Sequence, residues 1–312
     1  VMMARCRTID GDYEICPRNP IVSHRHMSLM SEISVVGHAD IVETQRGEWW
    51  MVLLGVRPYD GFGEPHFNLG RETFMVPVVW ESDGWLRVDN DNGIVNSEER
   101  LPDLPVYLAA LSFFSDNFES DRLDMRWNTI HPAAEPFWSL TERPGCLRLF
   151  LKEEVLHEIC TPAFIGRRQQ HKNFRMQFAM DFQPTNPCEE AGAALVQDDR
   201  YHYTFTVGLK NGSRVLTLTE VKNHMRTVLS ETPLEKDGRI YLTVAATPEG
   251  YHFYYGYSDQ EFQLLCKNVD PTLLSSLVNE GFTGAYIGMY ATSNHSPVKN
   301  HADFDWVLYE AE

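Results

Sequence analysis

Short apolar or alternating runs recur along the whole sequence, separated by clusters of Gly, Pro, Asn and Asp, and helical periodicity is nearly absent. An alternation of period two places successive side chains on opposite faces of a strand. The segment YHYTFTV (201–207) is typical, because its Tyr, Phe and Val positions alternate with His and Thr. The sequence therefore predicts an all-β fold, with one short helix at 270–281 that has Asp270 as its N-cap and Pro271 in its first position.

The strand pattern divides the chain into two blocks joined by a proline-punctuated linker at 98–118. Residues 111–312 hold about nine strands at a spacing of roughly 10–20 residues, which predicts a β-sandwich of the jelly-roll kind. Residues 1–110 hold roughly four to seven strands, little more than two propeller blades of ~40–50 residues each. Such a block leaves sheet edges open, so we expect it to need a partner or further sequence. Pro77 lacks an N–H donor, which predicts that its strand is an edge strand or is bulged.

Composition excludes several classes of partner. A formal net charge of −17 argues against nucleic acid or an anionic membrane as a ligand. No apolar run is long enough to span a bilayer, and the start does not resemble a signal peptide.

We interpret the cysteines as reduced and mostly buried, and their spacing argues against a zinc site. The six are Cys6, Cys16, Cys146, Cys160, Cys188 and Cys266.

Three segments carry a resemblance to a known family. "GHADIVETQRGEWWMVLLGVRP" (37–58) and "LGRETFMVPVVWESDGW" (69–85) resemble the later blades of the catalytic domain of glycoside hydrolase family 43. That domain is the five-bladed β-propeller of β-xylosidases and α-L-arabinofuranosidases. "IGRRQQHKNF" (165–174) resembles part of the accessory sandwich of the β-xylosidase branch. The resemblance implies a partial propeller, later blades only, at 1–110, followed by a jelly-roll or concanavalin-like β-sandwich at 111–312.

The resemblance implies two site residues in the first block. His38 matches the histidine that projects into the propeller channel beneath the sugar and holds a water or a metal ion, often calcium. Arg71 matches an arginine that binds sugar hydroxyls, work that suits a planar, permanently charged donor. The alternatives are a core histidine satisfied by backbone and a surface ion pair of Arg71 with Glu72 or Glu81. We expect Asp40 to make a structural hydrogen bond rather than to take part in catalysis. The tryptophans of this block are expected in the core; they are Trp49, Trp50, Trp80 and Trp85.

In the second block, Phe282 of "GFTGAYIG" (281–288) matches a phenylalanine that walls the catalytic pocket in this branch. The alternative is an ordinary core residue of the sandwich. Arg167, Arg168 and His171 either line the interface between the domains or form a solvated turn.

The resemblance also allows a structural calcium ion in the sandwich. Asp116 and Asp305 are the candidate ligands, since carboxylate oxygens suit calcium. No cofactor is required.

The chemistry of glycoside hydrolysis is not complete in this sequence. Inversion needs two carboxyl groups ~6.5–9.5 Å apart, an acid and a base. The resemblance places an Asp base, a second Asp and a Glu acid upstream of Val1, and no segment here matches them. Glu14, Glu32, Glu48 and Glu64 occupy contexts that match non-catalytic positions.

The sequence thus predicts a fragment of an inverting, exo-acting β-1,4-xylosidase that acts on xylo-oligosaccharides from xylan. An α-L-arabinofuranosidase and a non-catalytic carbohydrate-binding or structural chain are the alternatives. The expected partners are the xylo-oligosaccharide or arabinose-substituted substrate and the missing N-terminal half. Oligomeric state, including a homo-oligomer, and compartment stay open.

Overall fold

The computed structural model describes residues 1–59, 63–90, 92–107 and 112–312. Its regular structure is almost entirely β-strand, which confirms the all-β prediction. The chain divides into two compact units, Val1–Ala109 and Ala110–Glu312. The domain boundary predicted at residue 110 lies within 108–111, outside the described residues.

The described part of the first unit contains two antiparallel sheets. A four-stranded sheet has the order β3-β4-β5-β6, so that neighbours in sequence are neighbours in space, as in a propeller blade. The other sheet is the short pair β1-β2. The strands are β1 (Ala4–Arg5), β2 (Glu14–Ile15), β3 (Ser34–Glu43), β4 (Trp49–Val56), β5 (Glu72–Trp80) and β6 (Leu86–Val88).

Pro77 lies in the middle of β5, and β5 is an interior strand. The prediction that the proline marks an edge strand or a bulge is therefore wrong. Pro77 pairs with Trp50 of β4, and its carbonyl accepts a hydrogen bond from the Asp89 amide at 2.8 Å. The N–H and C=O of a strand residue point to the same side. The backbone N–H that a proline lacks would therefore have pointed toward β6. At Pro77 the pairing of β5 with β6 has already ended, since its last pair is Val78 with Val88.

The core of the first unit is made by apolar side chains of β4, β5 and β6 together with Ile33 and residues of the N-terminal segment. Trp50 and Trp85 are buried, as predicted. Trp80 is 42% exposed and meets Trp49 edge to face, with ring centroids 5.6 Å apart. The core prediction therefore holds for Trp50 and Trp85, Trp49 is partly buried against the core, and the prediction is wrong for Trp80, which lies at the surface of the described unit.

The second unit is a sandwich of two antiparallel sheets. One sheet has the order β19-β18-β17-β12-β21-β10-β9, with β7 also paired to β21. Its strands are β7 (Phe113–Asp116), β9 (Trp138–Ser139), β10 (Leu147–Phe150), β12 (Phe174–Asp181), β17 (Ile240–Thr247), β18 (Gly250–Gly256), β19 (Gln263–Val269) and β21 (His301–Ala311). The other has the order β16-β15-β14-β13-β20-β11-β8. Its strands are β8 (Asn128–Thr129), β11 (Ala163–Arg168), β13 (Glu190–Val196), β14 (Tyr201–Lys210), β15 (Ser213–Lys222), β16 (Met225–Pro233) and β20 (Tyr286–Thr292).

The inner faces of the two sheets enclose one large core. On β14 the predicted alternation is confirmed, because Tyr203 and Phe205 are fully buried in this core. The opposite face of β14 is also buried, and His202 on that face is inaccessible to solvent. A second apolar cluster, which includes Leu156 and Tyr290, lies on this outer face of the seven-stranded sheet. The outer face is therefore partly covered.

The helix predicted at 270–281 is a single 3₁₀ turn, Pro271–Leu274. Its start is as predicted, since the Asp270 side chain accepts a hydrogen bond from the Thr272 amide at 2.8 Å. It ends early because Ser275 takes an extended conformation, and turns follow.

All six cysteines are free, as predicted, although only Cys16 and Cys146 are buried. In the described ranges, no helix has the length and apolar character needed to cross a membrane.

Candidate functional site

Arg71 lies at the end of the connection 57–71, between β4 and β5. Connections longer than about 12–15 residues are uncommon in compact domains, and they are usually either functional or disordered. A tight turn precedes Arg71: Gly70 has a φ of 65°, and its amide donates to the Phe67 carbonyl at 3.0 Å. Phe67 and Leu69 are buried, whereas Arg71 is exposed. The chain thus presents the Arg71 side chain directly after an anchored turn.

A two-hydrogen-bond ion pair joins the two ends of this connection. Nε and Nη2 of Arg57 lie 2.9 and 2.7 Å from Oε2 and Oε1 of Glu72. The pair is partly buried, and the hydrogen bond to Glu72 raises the pKa of Arg57. Glu72 and Glu81 are the two acids proposed as ion-pair partners of Arg71. Both carboxylate oxygens of Glu72 accept hydrogen bonds from Arg57. Glu81 forms an ion pair with Arg87 at 2.7 Å.

His38 lies on a bulged stretch of β3. The pairing of β3 with β4 shifts register on either side of Gly37, and His38 has a φ of 52°. A left-handed residue interrupts the simple alternation of a strand, so His38 and Asp40 need not lie on the same face although they are two positions apart. The His38 side chain is exposed, which does not fit the core-histidine alternative. Asp40 accepts a hydrogen bond from the Ile41 amide at 2.9 Å, consistent with a structural role.

Strand register places His38 and Arg71 two strands apart, on either side of one row of paired residues. Gly37 pairs with Leu54, and Leu54 pairs with Thr73, so the three residues form one row across β3, β4 and β5. His38 follows the first of them, and Arg71 is two residues before the last. Neighbouring strands lie ~4.8 Å apart, which places the two backbones roughly 10–15 Å from one another.

A general acid needs a raised pKa. Two carboxyl groups of the first unit have lowered pKa values instead. The Asp103 amide and the Arg100 guanidinium hold the pKa of Glu48 below its usual range. The Arg18 side chain and the Trp85 amide do the same for Asp83. Both groups act as structural acceptors, and the upstream location of the catalytic acids stays a prediction.

Phe282 is 62% exposed at the start of the segment that leads into β20. The turn before it is fixed by the Gly281 amide, which donates to the Ser276 carbonyl and to Oδ1 of Asn279, both at 2.9 Å. The alternative that Phe282 is an ordinary core residue is wrong. Its predicted place beside a catalytic pocket stays a prediction.

Arg167 is 4% exposed and lies between two aromatic rings. Its guanidinium carbon is 4.3 Å from the centroid of Phe114 and 4.6 Å from that of Tyr309. Nη2 donates to Gln170, whereas Nε and Nη1 have no hydrogen-bond partner in the structure. Burial lowers the pKa of Arg167. The solvated-turn alternative is therefore wrong for Arg167; His171 contacts the same cluster, with Nδ1 3.1 Å from the Tyr309 hydroxyl.

The two candidate calcium ligands of the sandwich have different partners. Oδ2 of Asp116 accepts a hydrogen bond from Nε1 of Trp127 at 2.8 Å. Asp305 forms an ion pair with Arg239. Over the described ranges, no group of three or more His, Cys, Asp or Glu side chains is arranged to hold a metal ion. The calcium site stays a prediction from the resemblance.

A cavity of about 400 Å³ opens on the outer face of the seven-stranded sheet. Phe164 and Tyr286 give it aromatic walls, and Gln197 and Asp198 supply polar groups. The Gln197 amide nitrogen donates to the Thr283 carbonyl at 3.0 Å, while its oxygen has no hydrogen-bond partner in the structure. A few polar groups on an apolar, aromatic surface are typical of small-ligand sites.

Sequence reasoning did not single out Arg57 or the cavity. Arg57 had a usable signal, because residues of opposite charge flank the two ends of a long connection between strands. The cavity had none, since Phe164 and Tyr286 lie 122 positions apart and meet only through the pairing of β11 with β20.

Two family models match the chain. Residues 1–86 match the model described as "Glycosyl hydrolases family 43". Residues 115–310 match "Beta xylosidase C-terminal Concanavalin A-like domain".

Individual relatives agree with these matches. A non-reducing end alpha-L-arabinofuranosidase of Bacteroides ovatus is 34% identical over 98% of this chain and 56% of its own length. A xylosidase/arabinosidase of Butyrivibrio fibrisolvens is 31% identical over 99% of this chain and 59% of its own. The crystal structure of a xylan beta-1,4-xylosidase from Bacillus halodurans superposes with a TM-score of 0.91, at 31% identity, over 99% of this chain and 59% of that one. The chain thus spans less than two thirds of each of these relatives.

Proposed function

This chain belongs to glycoside hydrolase family 43, and on that premise we propose that it is the C-terminal part of an inverting, exo-acting β-1,4-xylosidase that releases xylose from xylo-oligosaccharides. The observation that carries the proposal is the succession of the two family models, the second of which is named for β-xylosidases. Coverage of about three fifths of the structural relative supports a longer protein whose upstream part supplies the acid and the base.

In this proposal Arg71 binds hydroxyl groups of the sugar in the innermost subsite. Its exposure after the anchored turn, and the register that places it two strands from His38, support this role. His38 orients a water or a metal ion beneath the sugar. Phe282 takes the pocket-wall role that the resemblance implies, and its 62% exposure agrees with a place outside the core of the sandwich.

Calcium enters this proposal only as a prediction from the resemblance. Ca²⁺ takes six to eight oxygen ligands, and His38 offers a nitrogen. The described residues of this chain do not make such a ligand set. No step of the reaction is routed through a metal.

An α-L-arabinofuranosidase is the close alternative, supported by the Bacteroides ovatus relative. The test uses the complete enzyme and compares release of p-nitrophenol from the β-xyloside and from the α-L-arabinofuranoside. A kcat/KM at least tenfold higher for the xyloside is expected. The reverse preference would assign the enzyme to arabinose.

A non-catalytic carbohydrate-binding chain is the alternative from another class, and the cavity walled by Phe164 and Tyr286 favours it. Two measurements on this chain alone decide: hydrolysis of xylobiose, and xylose affinity by calorimetry. We expect no turnover. Substantial hydrolysis by the purified chain would disprove the upstream location of the acids, whereas inactivity of the complete enzyme together with sugar binding would favour the non-catalytic reading.

A further inference from the structure

We propose that Arg57 and Glu72 form a positioning pair that fixes the direction of Arg71 toward the sugar. The proposal rests on the proposed function, because it deepens the role of Arg71 in that site. Neither residue is assigned a contact with substrate, so both act through Arg71.

The ion pair of Arg57 and Glu72 is bidentate, so it fixes the orientation of the two side chains as well as the distance between them. Two parallel hydrogen bonds of 2.9 and 2.7 Å join the guanidinium edge of Arg57 to both carboxylate oxygens of Glu72. A bidentate pair fixes orientation as well as distance, which a single contact does not. The side chains are 35% and 25% exposed, so solvent screens them less than a surface pair.

The backbone at Arg71 is fixed from both sides. Before it, the turn closed by the Gly70 amide and the Phe67 carbonyl is anchored by the buried Leu69. After it, Glu72 enters β5 opposite Gly55 and is bound to Arg57. An error of about 1 Å in the placement of a sugar-binding group can reduce the rate ~100-fold, so control of this one backbone position has a large effect.

The pair also closes the base of the connection 57–71. Arg57 is the first residue after β4, and Glu72 is the first residue of β5. Their ion pair ties together the two chain ends from which the connection leaves the sheet. Removing the carboxylate would release that end of the connection from Arg57.

The experiment is a double-mutant cycle in the complete enzyme, with kcat and KM measured on p-nitrophenyl β-xyloside. Glu72→Gln keeps the shape of the side chain and removes its charge. We expect kcat/KM to fall at least tenfold in the Glu72→Gln variant. In the Arg71→Ala background the same substitution should change kcat/KM by less than twofold, because the group that it positions is gone.

The matched control is Glu81→Gln. Glu81 follows the other end of β5 and binds Arg87 at 2.7 Å, with both side chains 34% exposed. It should leave kcat/KM within twofold of the parent. If Glu72→Gln does not fold, the double variant Arg57→Gln/Glu72→Gln, which removes the charges of both partners together, enters the same cycle.

Equal losses with and without Arg71 would show a merely structural role and overturn the proposal. So would an unchanged kcat/KM in Glu72→Gln while Arg71→Ala is impaired. An Arg71→Ala variant with full activity gives a different pattern, because it removes Arg71 from the proposed site before any question of positioning arises.

Discussion

Asp303 has both carboxylate oxygens bound by Arg148, with Nε 2.7 Å from Oδ1 and Nη2 2.9 Å from Oδ2. Arg143 donates to Asp303 at 3.0 Å and to Asp181 at 2.7 Å. The Asp303 side chain is 6% exposed. Burial alone would raise its pKa, but the hydrogen bonds from Arg148 and Arg143 hold that pKa below the usual range. This network ties β10, β12 and β21 together on one sheet of the sandwich.

Arg148→Met should therefore destabilise the sandwich by about 2 kcal/mol, because it removes two hydrogen bonds from a buried carboxylate, which then keeps the one from Arg143. Urea unfolding monitored by far-UV circular dichroism measures this change. Lys210→Met is the control: its pair with Glu231 is more exposed and should contribute less than ~1 kcal/mol. Equal effects of the two substitutions would contradict the importance of burial.

A pH dependence is expected from His202, which is fully buried and has Nδ1 3.1 Å from the Asp198 carbonyl. Burial lowers its pKa to about 4, and the nearby His157 and Arg226 act in the same direction. The unfolded chain binds the proton near the ordinary pKa of ~6.5, so the folded state binds fewer protons between these values.

The contribution of His202 to stability should thus be complete above pH 6.5 and be lost as the pH falls toward 4. The slope is at most ~1.4 kcal/mol per pH unit. Asn can donate to the Asp198 carbonyl but does not titrate. The difference in unfolding free energy between the parent and His202→Asn should therefore change across this window. A constant difference would mean that His202 is not held neutral.

We expect the variants of Arg167 to follow an unusual order of stability, in which the apolar variant is more stable than the charged one. Its guanidinium stacks between Phe114 and Tyr309, and two of its nitrogen atoms have no hydrogen-bond partner in the structure. Replacing a buried, poorly satisfied charge by an apolar side chain is often neutral, so Arg167→Met should stay within about 1 kcal/mol of the parent. Arg167→Lys keeps a compact charge that cannot stack in the same way and should cost ~2 kcal/mol or more. The midpoints of chemical unfolding test this order, which a more stable Lys variant would reverse.

Arg71→Ala, made in the complete enzyme, should raise the barrier by about 2–3 kcal/mol, the size of a lost hydrogen bond to a charged group. That is roughly a 30- to 150-fold loss in kcat/KM. Arg71→Lys retains the charge and should recover part of the loss, and circular dichroism checks the fold of both variants. An unchanged kcat/KM in Arg71→Ala would exclude Arg71 from the site.

The fold class was predictable because strand periodicity is a local property. The inward positions of β14, such as Tyr203 and Phe205, follow from alternation alone. The burial of His202 on the other face was not predictable, since it depends on residues such as Leu156 and Tyr290 that reach this face from distant parts of the chain. Pro77 shows the same limit, because whether a proline costs a hydrogen bond depends on where the neighbouring strand ends.

The candidate site could be proposed only where the sequence carries recognisable motifs, and its residues stay predictions. Arg71 and His38 were identified through the resemblance, and no periodicity would have selected them. The partnership of Arg57 with Glu72 depends on the register of β4 and β5, which sequence does not specify directly. Asp116 and Asp305 illustrate the opposite case, since their suitability as ligands gave no information on the partners that they have in the fold.

β3 is paired only with β4 among the described strands, over the ten residues Ser34–Glu43. A long strand with one open side offers its amides and carbonyls to any extended chain that comes close. Exposed Ile41 and Val42 add apolar surface on the two faces of the strand next to that edge. The bulges around Gly37 oppose such docking by twisting the strand, but they leave its second half regular. Preparations of this chain should therefore become turbid as concentration rises, and a charged residue at position 42 is the simplest means of keeping it dispersed.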